Sequence, residues 1–399
     1  MEQLIRFVGL DVHAQKIVIA IADADGSEPR LRGDVPNEPH AIAEMMKRLG
    51  PADSLRVCYE AGPCGYGLYR QLRKLGIRCD VIAPTLIPKR PGDRVKTDKR
   101  DAKNLARAHR NGDLVTVWVP DEATEALREL RRHRDTAKEA QRRSRQQLAQ
   151  FLLRSGIQAP PKTKPGTVAH HKWLQGLCLP MPAAQHALRD LIDETERQQA
   201  RVKMLESALG EAMKSAPIEL QELVAALQAL RGVAWLSALT LALEVGVFSR
   251  FKSPRQLMAW AGIVPSEYSS GEGQSRGKIT KSGNAFVRRT CVESAWCNTR
   301  APKRSYVLKQ RREGLPPSVI GIAQRAEDRL HARFRRLVAR GKTGNRAVVA
   351  VGRELLGFAW AIGREIEHRR ATGESLPEAV TTSKVAPRPK RTYVIKKAA

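Results

Sequence analysis

Asp11, Glu60, Asp98 and Asp101 are the residues of this chain whose types and spacing suit them to chemistry. Asp11 follows the apolar stretch Phe7 to Leu10, and a second apolar run, Ile17 to Ala22, comes soon after. Glu60 ends the run Val57-Cys58-Tyr59 and is followed by Ala61-Gly62-Pro63. Asp98 and Asp101 lie in Lys96-Thr97-Asp98-Lys99-Arg100-Asp101-Ala102, and their spacing of three puts both on one side of a helix. Four such acids can hold Mg²⁺, which takes a few hard oxygen ligands and leaves room for water and substrate phosphate. Two ions held this way polarise a phosphodiester, activate a nucleophile and stabilise the leaving oxygen. A plainer reading stays open beside it. Asp98 and Asp101 sit among Lys96, Lys99, Arg100 and Lys103, as in any charged helix start. Asp11 and Glu60 make the stronger pair, because both terminate apolar runs where an unpaired charge is costly to bury.

A second chemistry-bearing stretch runs from Gly262 to Asn284 and contains Pro265-Ser266-Glu267-Tyr268-Ser269-Ser270-Gly271. It reads as a long loop between apolar flanks, and such loops are functional when ordered. Its serines are turn residues bonding their own backbone, or one hydroxyl beside Gly271 is a nucleophile toward phosphorus. In the second case an acidic metal site would activate the serine, and Arg276, Lys278, Lys281 and Asn284 would hold phosphate. The residues alone favour the turn reading.

These side chains need elements to carry them. Apolar patterning predicts strands over 4–11 and 16–22, a weak third strand near 30–33, a helix over 41–49 and a buried strand over 55–59. A helix over 65–75, a strand over 77–82 and a helix over 99–110 follow. Strands first, then helix and strand in alternation, indicate an α/β layer with a mixed sheet in residues 1–120. An acid on a first strand, one after a later strand and two on a following helix form a ribonuclease-H-like arrangement. Residues 121–154 and 184–213 read as long helices around a Pro/Lys/Gly loop at 156–166. Leu188, Leu191, Thr195, Gln198, Val202, Leu205, Leu209 and Ala212 form a heptad seam. An antiparallel coiled-coil hairpin over 121–218 follows, with a plain helical bundle as the alternative. From 219 to 370 the chain is mostly helical, with two helices around Gly232, the serine loop, and a last amphipathic helix over 346–366. Residues 371–399 form a basic tail without a core.

The 399 residues carry 70 Lys and Arg against 41 Asp and Glu, a net charge of +29, which calls for a polyanionic partner. Residues 1–120 hold only 20 basic and 15 acidic side chains, so nearly all of the surplus lies beyond them. Arg288 and Arg289 begin a run of cations after the serine loop. The six cysteines form no CxxC pair and read as free thiols of a reducing cytoplasm. The most apolar stretch, Leu236 to Phe248, is short and contains Glu244, so it reads as a core helix and no membrane partner is expected.

Several motifs taken together carry a resemblance. Phe7-Val8-Gly9-Leu10-Asp11-Val12-His13, Tyr59-Glu60-Ala61-Gly62-Pro63, the stretch from Pro88 through Lys96-Thr97-Asp98 to Asp101-Ala102, and Arg250-Phe251 through Gly262 and Pro265-Ser266 to Gly283-Asn284 resemble the DEDD transposases of the IS110 family. That family includes the Piv-type invertases and the RNA-bridged recombinases. The resemblance spans residues 4–366 in order. It implies a RuvC-like N-terminal domain, a coiled-coil middle and a C-terminal transposase domain. It implies metal binding by Asp11, Glu60, Asp98 and Asp101, with Mg²⁺ the expected ion, Mn²⁺ its substitute, and no ATP. It implies a serine nucleophile at Ser270, with Ser269 as the alternative. It further implies donor and target DNA, a structured noncoding guide RNA, dimers to tetramers, and grips on nucleic acid by Lys96, Lys99, Arg100, Arg276, Lys278, Lys281, Asn284, Arg288 and Arg289. A water-using RuvC-like nuclease and a noncatalytic nucleic-acid-binding protein are the competing readings.

Overall fold

A computed structural model describes residues 5–88, 97–161, 163–270, 273–302, 305–378 and 380–381, with only the backbone at Ser270 and Gln274. Lys96, Gly271 and the tail from 382 onward, all of which figure in the sequence reading, lie outside the described residues. The chain divides into two compact units, Met1–Val119 and Pro120–Ala399.

The first unit is a mixed α/β layer. Its strands are β1 (Arg6–Val12), β2 (Lys16–Asp23), β3 (Arg30–Pro36), β4 (Leu55–Glu60) and β5 (Arg78–Ile82), in the order β3-β2-β1-β4-β5. β1 pairs antiparallel with β2, and β2 antiparallel with β3. β1, β4 and β5 are parallel. This order and direction are consistent with the ribonuclease-H-like arrangement the acids called for. Helices α1 (Pro39–Leu49) and α2 (Gly67–Lys74) cover one face, where Val8, Leu10, Leu55, Val57 and Tyr59 meet Met46, Leu49 and Leu72. The third strand gave little signal because its burial alternates only between partial and none.

α3 (Asp98–Asn111) covers the other face, and the sequence of β1 allows its close approach. Strand side chains alternate faces, so Val8 and Leu10 point into the first core and Gly9 and Asp11 toward α3. A Cβ on Gly9 would lie 2.4 Å from both the Ala102 carbonyl oxygen and the Ala106 nitrogen. Both partners are backbone, so the helix itself would have to move. Gly9→Ala should therefore cost about 1–3 kcal/mol, the usual range for overpacking a core. Denaturant unfolding measures it, and a variant as stable as the parent would mean that α3 is not seated on β1.

Among its described residues the second unit is helical apart from one hairpin. α4 (Glu122–Arg154), α5 (Val168–Gln175) and α6 (Pro182–Lys214) come first. α4 and α6 run antiparallel: Ala137 packs with Val202 and Leu205, while Leu148 and Leu152, farther along α4, pack with Leu188 and Ile192, near the start of α6. Arg134 reaches Glu206, and Arg145 Nη2 donates to Gln199 Oε1 at 2.9 Å. The buried stripe departs from a strict heptad. Ile192 is buried in place of Leu191, and Thr195 and Gln198 bond within their own helix. α5 escaped the sequence reading, because eight residues span barely two turns and carry no repeat.

α7 (Ile218–Leu227), α8 (Trp235–Val245), α9 (Pro254–Trp260), α10 (Ala285–Ala295), α12 (Pro317–Ala339) and α13 (Gly344–Ala371) pack into one large core, and α11 (Tyr306–Arg312) joins it through Arg312, which donates to the Ala229 oxygen. The apolar stretch around Glu244 is α8, buried within it. No helix among the described residues is long and apolar enough to cross a membrane.

The stretch expected to be a serine loop is a β-hairpin, β6 (Pro265–Ser270) paired antiparallel with β7 (Gly273–Ile279). Among its described side chains the two-stranded ribbon buries none, so its sequence lacks the apolar alternation by which a strand is recognised. Gly262 and Gly283 clasp its root: a Cβ on Gly262 would lie 1.9 Å from the Ser282 oxygen, and one on Gly283 1.8 Å from the Trp260 oxygen.

Candidate functional site

The C-terminal edge of the parallel strands gathers the acids. In the β1–β4 register Gly9 faces Cys58 and Leu10 faces Tyr59, so Asp11 and Glu60 are the next residues along, at adjacent strand ends. Cys58 Sγ lies 3.7 Å from the Leu105 carbonyl oxygen, which fixes that face of β4 as the α3 side. Glu60, two residues on, shares it. α3 begins at this edge. Thr97 caps it, its hydroxyl accepting from the Arg100 N–H, and Asp98 and Asp101 fill the first turn, where the helix dipole favours anions.

Within this edge Asp11, His13 and Asp98 place one donor atom each within 4.8 Å of one another. His13 Nε2 is 3.2 Å from Asp11 Oδ2 and 3.6 Å from Asp98 Oδ2. Lys16 Nζ is 3.2 Å from the same Asp98 oxygen. Burial pushes the Asp11 carboxyl above the usual carboxylate range; His13 opposes the shift, and the charges of Asp101 and Asp98 add to it. The hydrogen bond from Lys16 holds the exposed Asp98 carboxyl below that range. Two neighbouring carboxylates are thus pushed apart, as happens where acids share a site. Asp101 and Glu60 stand outside the three-atom group. Asp101 acts on Asp11 through its charge, and Glu60 ends exposed at the neighbouring strand tip. The donor set, carboxylates with an imidazole, fits a divalent cation. Lys99 and Arg100 lie exposed on the first turn of α3.

His13 is the site residue that the acid pattern passed over. Its signal was Asp11-Val12-His13: residues two apart at a strand end lean to one face. His13 stands in the turn between β1 and β2, and that turn brings its ring against Asp11 and Asp98.

The hairpin carries the second candidate set. Ser270 is the last residue of β6 and pairs with Gly273. The Ser269 hydroxyl donates to Glu267 Oε1 at 2.9 Å, and Arg276 Nε lies 3.5 Å from Glu267 Oε2. Arg276, Lys278 and Lys281 are exposed. Asn284, at the root, has both polar ends committed: Oδ1 caps α10 through the Val287 N–H at 3.0 Å, and Nδ2 donates to buried Glu244 at 2.7 Å. Arg132 closes on the same carboxylate with two bonds of 2.9 Å. In this structure Asn284 therefore anchors the hairpin's exit. Arg288 donates to the Ala261 oxygen at 2.8 Å, and Arg289 pairs with Asp135.

Two family profiles match the chain. One, described as a transposase, of the DEDD kind found in IS110 elements, covers residues 8–156, and one described as the transposase IS116/IS110/IS902 family covers 224–309. A putative transposase of Sinorhizobium fredii is 44% identical over 361 residues, 90% of this chain and 88% of that protein. The transposase for insertion sequence element IS1533 of Leptospira borgpetersenii is 32% identical over 339 residues, 84% of this chain and 97% of that one. A probable family 20 transposase of Pseudomonas aeruginosa is 27% identical over 292 residues, 71% and 83% of the two chains.

Proposed function

This chain belongs to the IS116/IS110/IS902 family of insertion-sequence transposases, and from that premise we propose that it cuts and rejoins DNA through a phosphoserine intermediate. The observation that carries the reading is the convergence of Asp11, Asp98 and His13 at the sheet edge where Glu60 and Asp101 also end. The N-terminal unit is the RuvC-like domain in this account. Asp11, Glu60, Asp98 and Asp101 would hold the divalent cation, Mg²⁺ or Mn²⁺, whose charge would polarise the phosphoryl oxygens.

Ser270 is the nucleophile. Its Oγ bonds to phosphorus as the bond from phosphorus to the 3′ oxygen breaks, leaving a 5′-phosphoserine. The serine loses a proton and the departing oxygen gains one, so the step needs no oxidant, reductant or nucleotide. A second 3′ hydroxyl then attacks the phosphoserine and frees Ser270. Bond number is conserved at each step, which is why no ATP enters. Acids and serine lie in different units of the chain, so in an oligomer one subunit's acids can serve another's serine. The α4–α6 pair, read as a coiled coil, and the basic C-terminal helices grip DNA and a structured guide RNA, to which the +29 charge is suited.

The test is to trap the adduct. Protein co-expressed with the noncoding flank of its gene is mixed with labelled DNA bearing the element ends, with Mg²⁺ or with EDTA. A detergent-stable protein–DNA band should form in Mg²⁺ only and weaken after ribonuclease treatment. Cut DNA with free 5′ phosphates and no band would establish the water-using nuclease instead. An unchanged band after ribonuclease treatment would remove the guide RNA.

A further inference from the structure

The four-acid pattern is made of oxygen donors alone, yet the cluster that forms contains a nitrogen. We propose that His13 is a direct ligand of the cation, through Nε2, and that it tilts the site from Mg²⁺ toward Mn²⁺. The proposal rests on the cation-binding reading of this edge and deepens it.

The first support is distance. Donors about 2.1 Å from an octahedral ion lie roughly 3.0 Å apart on adjacent positions and roughly 4.2 Å apart on opposite ones. His13 Nε2 is 3.2 Å from Asp11 Oδ2, a hydrogen bond close to the adjacent spacing, and 3.6 Å from Asp98 Oδ2, between the two spacings, so a cation would draw the three atoms in by only a few tenths of an ångström. The second is placement. The His13 N–H donates to the Lys16 oxygen at 2.9 Å, and Asn37 Nδ2 donates to the His13 oxygen at 2.8 Å, so the backbone bearing the ring is tied to the start of β2 on one side and to the end of β3 on the other. The third is charge. Lys16 Nζ, 3.2 Å from Asp98 Oδ2, neutralises the oxygen that His13 approaches. A second cation binding there needs a ligand that brings no further positive charge, and a neutral imidazole is such a ligand. Imidazole nitrogen suits transition metals better than Mg²⁺, which favours oxygen and keeps its water. Replacing one oxygen ligand by His13 therefore lowers Mg²⁺ affinity more than Mn²⁺ affinity.

The experiment uses the full chain with Mn²⁺ as the probe. Continuous-wave paramagnetic resonance counts bound Mn²⁺, and pulsed measurements detect nitrogen bonded to it. The native protein should show nitrogen coupling. His13→Ala should lose the coupling while still binding Mn²⁺, with lowered affinity. His13→Gln, which offers an oxygen at similar reach, should bind without coupling and lower the Mn²⁺/Mg²⁺ affinity ratio about tenfold. Mn²⁺ bound by the native protein without nitrogen coupling overturns the His13 ligand and leaves the acid site standing. Coupling that survives in His13→Ala overturns it also. If Asp11→Asn and native protein alike bind no Mn²⁺, the cation site itself fails, and His13 with it.

Discussion

Asp11→Asn should reduce DNA strand cleavage by about 10³-fold or more, a loss of roughly 4 kcal/mol of transition-state stabilisation, without unfolding the protein. The side chain keeps its shape and loses only its charge. That charge is one the fold bears poorly. Burial raises the Asp11 carboxyl above its ordinary range, and Asp101 and Asp98 add repulsion that His13 only partly offsets. A carboxyl whose pKa is higher folded than unfolded favours the folded state most below its unfolded pKa. That advantage is lost as pH rises through the folded value. At neutral pH without cation, Asp11 is therefore a cost, and Asp11→Asn should match or exceed the parent in thermal stability. The gap should close as pH falls into the carboxylate range. Adding Mg²⁺ should stabilise the parent and leave the variant unmoved, since only the parent has a cation to gain by folding. An Asp11→Asn protein that melts well below the parent, or cuts DNA at the parent's rate, would sink the assignment.

This trade between cation and stability was only partly legible in the sequence. Asp11 and Glu60 showed themselves because each ends an apolar run, and the parallel register of β1 and β4 does set them side by side. Asp98 and Asp101 showed themselves by spacing, and Gly9 explains how their helix comes close enough to matter. His13 did not, because a histidine in a polar turn looks like solvent-facing material until the turn is folded. The hairpin was missed for a related reason. A ribbon with both faces wet has no hydrophobic period, and its strands are held by backbone bonds that no side-chain pattern records. The sequence groups Asn284 with Arg276, Lys278 and Lys281 as a phosphate ligand. Its own neighbours are Glu244 and the α10 backbone, partners forty and three residues away. Long apolar elements such as α8 announce themselves locally, whereas polar contacts across the fold do not.

The hairpin also sets the terms for the second large effect. Ser270→Ala should abolish the covalent protein–DNA band and all rejoined product, a loss of about 10³-fold or more, since no other group inherits the role of a removed nucleophile. Unlike Asp11→Asn, it should keep the stabilisation by Mg²⁺ and bind DNA as the parent does, because the substitution removes neither an acid of the sheet edge nor a cation of β7. Ser269→Ala is the matched control. Its hydroxyl donates to Glu267 Oε1, and with Ser270 as the nucleophile the variant should retain most activity. The adjacent position thus separates a chemical role from a mere need for hydroxyls on the strand. If Ser269→Ala loses the band while Ser270→Ala keeps it, the nucleophile is Ser269. If both variants still cut in Mg²⁺ and the cut ends carry free 5′ phosphates, water is the nucleophile and the hairpin only holds the strand.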